Sequence, residues 1–197
     1  MESIALSTDF YRIVFNLAVL VWAVPELLGS FSQQVRGGAT ARDRWSGPVA
    51  RVSMLTACVG AILLAAYVPA AAIPWARLPI FWIGIALMLF GVAFRWYAIR
   101  TLGQYFTRSV ATHPGQAVVQ SGPYRLIRHP SYAGTLLVML GIGLALGSWL
   151  SLILVVVLPL AGFSYRMTVE ERALSEAIGQ PYRDYMSRTH RLIPFVY

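Results

Sequence analysis

The chain has 197 residues, 57% of them hydrophobic and only 12% charged, with a formal net charge of +8. A soluble domain of this length usually carries about 25% charged residues, so much of the surface is expected to face lipid rather than water. All 16 basic residues are Arg and they are scattered among apolar runs, which argues against a nucleic-acid partner and for attraction to anionic headgroups; Cys58, the single cysteine, excludes an intramolecular disulfide and a cysteine-based metal site.

A spanning helix needs about 20 mostly apolar residues, because the hydrocarbon core is roughly 30 Å thick. The first apolar segment runs from Phe10 to Phe31, lacks a cationic lead-in and is expected to be retained. The second runs from Val52 to Ile73, with no charge between Arg51 and Arg77. The third runs from Leu78 to Ile99 and carries Arg95 in its last turn. Only the short stretch Pro74 to Arg77 separates the second from the third, which predicts an antiparallel hairpin. Residues 130–165 then carry no Asp, Glu, Lys or Arg. As one helix they would be about 54 Å long, too long for one span. Gly147-Ser148 is a natural break, so two short spans are expected, at 131–146 and 149–167. The second of these is expected to continue into water through Glu170, Glu171 and Glu176. Gly179 can end that helix and Pro181 can begin another, with Tyr182, Tyr185 and Met186 on one face.

The fold class expected is all-α: an integral membrane helical bundle of about five transmembrane helices, the last two forming a hairpin, in a single membrane domain over 1–197. Within it, 1–99 holds three spanning helices, 100–132 a connector, 133–167 the hairpin and 168–197 the C-terminal cytoplasmic helices. With the N-terminus outside, Arg12 and Arg77 fall on the outer side. Arginines 36, 42, 44, 51, 95, 100, 108, 125, 128, 166, 172, 183, 188 and 191 fall on the inner side. That asymmetry sets the orientation by the positive-inside rule and puts the C-terminus in the cytoplasm. The location expected is a prokaryotic inner (plasma) membrane. The unusual polarity lies in two inner-side segments, Arg95 to Tyr132 and Arg166 to Tyr197, which can together form one site.

Those two segments carry Gly-Pro-Tyr at 122–124, Arg-His-Pro-Ser-Tyr at 128–132, the pair Glu170-Glu171, Gly179 with Tyr182 and Tyr185, and Ile-Pro-Phe at 193–195. In this order and spacing the second half of the chain resembles the isoprenylcysteine carboxyl methyltransferase family and its relatives among phospholipid methyltransferases. The first half matches only as spans. The resemblance implies S-adenosyl-L-methionine as cofactor, a membrane-embedded non-Rossmann fold, and methyl transfer to a lipophilic acceptor entering from the bilayer. That acceptor would be a carboxylate of isoprenylcysteine type or another small lipophilic nucleophile. The only glycine cluster of nucleotide-signature type, Gly141, Gly143 and Gly147, lies inside the uncharged run. Gly143 and Gly147 are expected to serve helix packing as a GxxxG pair.

The family pattern implies cofactor contacts at Gln116, Ala117, Val118 and Val119, whose peptide groups would cup the cofactor, and at Tyr124, His129, Pro130, Ser131, Tyr132 and Glu170. Relatives often begin the first stretch with His; here it is Gln116, with His113 three residues earlier, so the register stays open between them. Arg166, four residues before Glu170, would hold the acceptor, because its planar fork suits a carboxylate or phosphate. The bland alternative is a surface ion pair between Arg166 and Glu170. Glu171 is expected to be solvated, Arg125 and Arg128 to be structural or headgroup charges, and Arg188 and Arg191 to dock the tail. No metal is implied. Two rival readings remain at this level: a membrane reductase of the sterol-reductase type using NADPH, and a non-catalytic membrane scaffold or carrier.

Overall fold

A computed structural model of the chain describes residues 2–32, 40–41, 45–107, 111–112 and 115–194. Arg36, Arg42, Arg44, Arg108, His113 and Phe195, all used in the sequence reading, lie outside the described residues. The described chain is almost wholly helical: α1 (Glu2–Ser32), α2 (Ser46–Tyr67), α3 (Arg77–Leu102), α4 (Pro130–Leu146), α5 (Trp149–Ile178) and α6 (Gln180–Arg188). A two-residue ladder, β1 (Thr40–Ala41) against β2 (Ala111–Thr112), ties the α1–α2 loop to the connector before α4.

Among the described residues, four helices are long and apolar enough to cross a membrane: α1 over Asp9–Leu28, α2, α3 with its following turn, and α5. The fifth apolar helix, α4, has only 17 residues, about 25 Å at 1.5 Å per residue. At the lower limit of length for a span, it is the most buried helix, with Val138 and Met139 completely enclosed. The protein is a multi-pass membrane protein whose central helix is sheathed by the others.

The predicted hairpin forms. Gly147 takes the left-handed conformation (φ 63°, ψ 36°) that ends α4, and the Ser148 hydroxyl accepts from the Ser151 amide at the start of α5. Gly147 is therefore the turn residue, with open space where a Cβ would be, and not half of a packing pair with Gly143. Close packing is carried elsewhere. A Cβ on Gly84 of α3 would lie 2.7 Å from the Gly141 carbonyl, and one on Gly91 would lie 2.7 Å from the Gly134 carbonyl. The two backbones are thus in direct contact, the geometry small residues permit in membrane bundles. Gly143 meets Leu152 and Val155 of α5 instead. On the other side of the bundle, α2 lays Ala50, Met54, Ala57 and Ala61 against the core, and Ser151 of α5 donates to the Ala61 carbonyl at 2.7 Å.

The α2–α3 connection and the α4–α5 turn sit at the same end, but α2 and α3 do not pair as the expected hairpin: α2 packs on α5 and α3 on α4. The Ile73 amide donates to the Gly147 carbonyl at 2.8 Å, and the rings of Trp75 and Trp149 lie 6.3 Å apart. The start of α1 lies at this end too, with Tyr11 against Phe81 and Trp82 of α3, while the close of α1, α3 and α5 and the start of α2 and α4 gather at the opposite end of the bundle. There α5 continues to Ile178, as expected from its glutamates. Gly179 (φ 79°) breaks it, and Pro181 begins α6 with Tyr182 and Tyr185 buried. The chain beyond α6 then zips onto the connector: Arg128 and His129 amides donate to the His190 and Arg191 carbonyls at 2.7 and 3.0 Å.

Candidate active site

One cavity opens at that end, bordered by the close of α1, the first two turns of α2, the close of α3, the connector, the mouth of α4, the far part of α5, and α6. Residues 116–119, outside any helix or strand, line it, and no described residue takes up the backbone groups of Ala117, Val118 or Val119. Peptide groups left open in a cavity wall are donors and acceptors available to a ligand.

The mouth of α4 is built by Pro130, whose ring fits the first turn where no intrahelical donor is needed. His129 precedes it, 4% exposed, and its ring stacks on Tyr132 at 5.5 Å, which stacks in turn on Phe163 of α5 at 5.1 Å. The phenol of Tyr132 donates to Glu170 Oε2 at 2.9 Å and accepts from Arg166 Nε at 2.5 Å. Arg166 and Glu170 are therefore bridged by a phenol inside the cavity, and Arg166 is 6% exposed. A simple surface pair does not describe them.

Glu171 corrects the expectation of a solvated carboxylate. Adjacent helical residues point about 100° apart, so Glu171 turns away from the cavity and is 3% exposed. It collects Arg128 Nε at 2.7 Å, Arg191 Nη2 at 2.7 Å, and His129 Nε2 at 3.2 Å. Arg128 also donates to the Met186 and Thr189 carbonyls. One carboxylate thus fastens α5, the mouth of α4 and the tail together. Arg191 docks the tail as expected; Arg188 does not, and donates to the Asp184 carbonyl of its own helix.

Of the sequence-predicted residues, Gln116, Ala117, Val118, Val119, Tyr124, His129, Ser131, Tyr132, Arg166 and Glu170 all border the cavity. Pro130 does not; it is fully buried behind the mouth of α4. Tyr124 is fixed by Tyr185, whose hydroxyl donates to the Tyr124 carbonyl at 2.8 Å. Burial, reinforced by Glu170, holds the Tyr124 and Tyr182 phenols above their ordinary range, so both stay neutral donors at physiological pH.

Sequence reasoning missed the contribution of the first half of the chain. Glu26 of α1 pairs with Arg95 of α3 through both oxygens, at 3.2 and 2.9 Å from Nη2, and Arg95 Nη1 donates to the Ser131 carbonyl at 3.0 Å. Both residues border the cavity. The available signal was a charged residue near the end of each of two otherwise apolar spans. From α2 come Gly47, Ala50, Arg51 and Met54, and a Cβ on Gly47 would lie 2.8 Å from Arg166 Nη1.

Comparison with known proteins agrees with this architecture. Residues 83–176 match the model of the isoprenylcysteine carboxyl methyltransferase (ICMT) family. Protein-S-isoprenylcysteine O-methyltransferase B of Arabidopsis thaliana is 31% identical over 115 residues, covering 57% of this chain and 58% of that protein. The protein-S-isoprenylcysteine O-methyltransferase of Schizosaccharomyces pombe is 25% identical over 228 residues, covering 100% of this chain and 96% of that protein. The solved structure of the eukaryotic intramembrane Ras methyltransferase ICMT superposes with a TM-score of 0.62 at 25% identity, over 95% of this chain and 63% of that one. The chain spans about three fifths of the length of the first curated relatives it matches, 61% in each case. On the family match over residues 83–176, the relatives and the shared membrane fold, the chain is similar to the isoprenylcysteine carboxyl methyltransferase family.

Proposed function

We propose that the protein is an S-adenosyl-L-methionine-dependent methyltransferase that works at the membrane on a lipophilic acceptor, a carboxylate of isoprenylcysteine type. The observation that carries this reading is the meeting, around one cavity, of a non-helical peptide stretch with open backbone groups at 117–119, a stacked His129–Tyr132–Phe163 column, and Glu170 joined to Arg166 through a phenol.

The donor set suits the cofactor. The backbone of Gln116 to Val119 offers groups for a polar ligand, Tyr124 and Tyr132 offer rings to a nucleoside or a sulfonium, and Glu170 offers a carboxylate to hydroxyl or ammonium donors. His129, Pro130 and Ser131 shape and support that wall. When bound, S-adenosylmethionine supplies a methyl group made electrophilic by its sulfonium. Arg166 then has the task of holding the acceptor in line. An acceptor carboxylate is already ionised near pH 7, so no general base is required among the lining residues. Orientation and exclusion of water are what this chain's residues contribute; in the best intramolecular cases these supply about 7–11 kcal/mol.

The domain division follows. The connector 100–132 and the C-terminal segment 168–197 build the cofactor side, the hairpin 133–167 carries Arg166, and the spans within 1–99 complete the acceptor side. The site end faces the cytoplasm of a prokaryotic cell, in its inner membrane, with the N-terminus outside. The cofactor enters from water and the acceptor from lipid. The family model, the two named relatives and the solved structure are of methyltransferases and do not favour the reductase reading.

The test is a labelled-methyl assay on total lipid and on small lipophilic acids, with Arg166→Lys beside the wild type. Lys keeps the charge but loses the fork. An alignment error of about 1 Å can cost on the order of 100-fold in rate, so methyl transfer is expected to collapse while cofactor affinity holds. Wild-type turnover in the variant would remove the positioning role.

A further inference from the structure

Four arginines border the cavity: Arg51, Arg95, Arg128 and Arg166. Three are engaged, Arg95 by Glu26 and the Ser131 carbonyl, Arg128 by Glu171 and the tail, and Arg166 by Tyr132. Arg51 has no hydrogen-bond or ion-pair partner among the described residues. It sits on α2 in a stripe with Gly47, Ala50 and Met54, the i, i+3, i+4, i+7 spacing of one helical face. That stripe is graded. Gly47 is where the α2 backbone comes against the tip of Arg166, Arg51 lies one turn further, and Ala50 and Met54 continue it as buried apolar surface. A wall that passes from guanidinium to hydrocarbon suits a ligand with the same gradient.

We propose that Arg51 is the second arm of an anion clamp whose first arm is Arg166, binding the charged head of a lipid-like carboxylate while the tail lies along Ala50 and Met54. The clamp rests on the reading of this cavity as the methyl-acceptor site. Gly47 makes it feasible, because a side chain there would push Arg166 out of the wall it shares with Arg51. The competing role is an interfacial arginine held by headgroup phosphates, which would be indifferent to the charge of the acceptor.

The experiment measures binding to the full chain in detergent by titration calorimetry, using a prenylated cysteine with a free carboxylate and the same compound as its carboxamide. A hydrogen bond to a charged group is worth about 1.5–3 kcal/mol, or roughly 10- to 150-fold. The wild type is expected to prefer the acid by about 10-fold or more. Arg51→Gln should lower the ratio clearly, leaving the share held by Arg166, without changing affinity for S-adenosylhomocysteine, and Arg51→Lys should restore part of the loss. Arg100→Gln, a change at an exposed arginine outside the cavity, should leave the ratio as it is. An unchanged ratio in Arg51→Gln, an equal loss in Arg100→Gln, or no preference in the wild type overturns the clamp. Absence of S-adenosylhomocysteine binding in the wild type would overturn the methyltransferase reading instead, and the acid-to-amide ratio would still decide the clamp.

Discussion

The phenolic oxygen of Tyr132 stands between Arg166 and Glu170, donating to the carboxylate at 2.9 Å and accepting from the guanidinium at 2.5 Å. One hydroxyl therefore links the group assigned to the acceptor with the group assigned to the cofactor. Tyr132→Phe removes that link and keeps the ring stacked between His129 and Phe163. Turnover is expected to fall by about 10-fold or more, the cost of one hydrogen bond to a charged group, with little change in unfolding temperature. Wild-type turnover in this variant would show that the bridge has no part in the chemistry.

Glu171 is a fastening rather than a ligand. Its side chain is 4% exposed and pairs with Arg128 and Arg191, which are 10% and 25% exposed. Removing one partner from a buried ion cluster costs about 3–5 kcal/mol, since the remaining charges stay desolvated. Glu171→Gln is expected to release the tail, read as faster hydrogen exchange over 186–194, before the spans are affected. Protection equal to the wild type over that segment would contradict the fastening role.

Orientation is read by single cysteines in a Cys58→Ser background. Ala70, exposed in the turn after α2, and Arg188, exposed at the end of α6, lie at opposite ends of the bundle. An impermeant thiol reagent applied to intact cells is expected to label Ala70→Cys and spare Arg188→Cys. The reverse pattern would invert the assigned topology, and labelling of both would contradict the placement of these two residues on opposite sides of the membrane.

The spans were legible because uninterrupted apolar runs have one stable solution in lipid, and the Gly147-Ser148 break because two crossings were needed to use so long a run. The wall from Gln116 to Glu170 was legible through its ordered motif. Glu26 and Arg95 were not, since they meet across 69 positions, and α1 lies outside the motif. Glu170 and Glu171 look alike in sequence. Their division of labour depends on where Arg191 arrives, 20 positions later, after the turn at Gly179. Gly84 and Gly91, which let α3 touch α4, gave no signal of their own, because small residues in an apolar run reveal their role only against a partner.

The central claim is that this cavity holds S-adenosylmethionine against Glu170. Titration calorimetry of the purified protein with S-adenosylhomocysteine, alongside Glu170→Ala and with circular dichroism as a check on the fold, tests it directly. The wild type is expected to bind, and the variant to bind about 10- to 150-fold more weakly with its helical signal intact. Equal affinity in the two proteins would remove Glu170 from the site, and a wild type that binds NADPH but not S-adenosylhomocysteine would contradict the account as a whole.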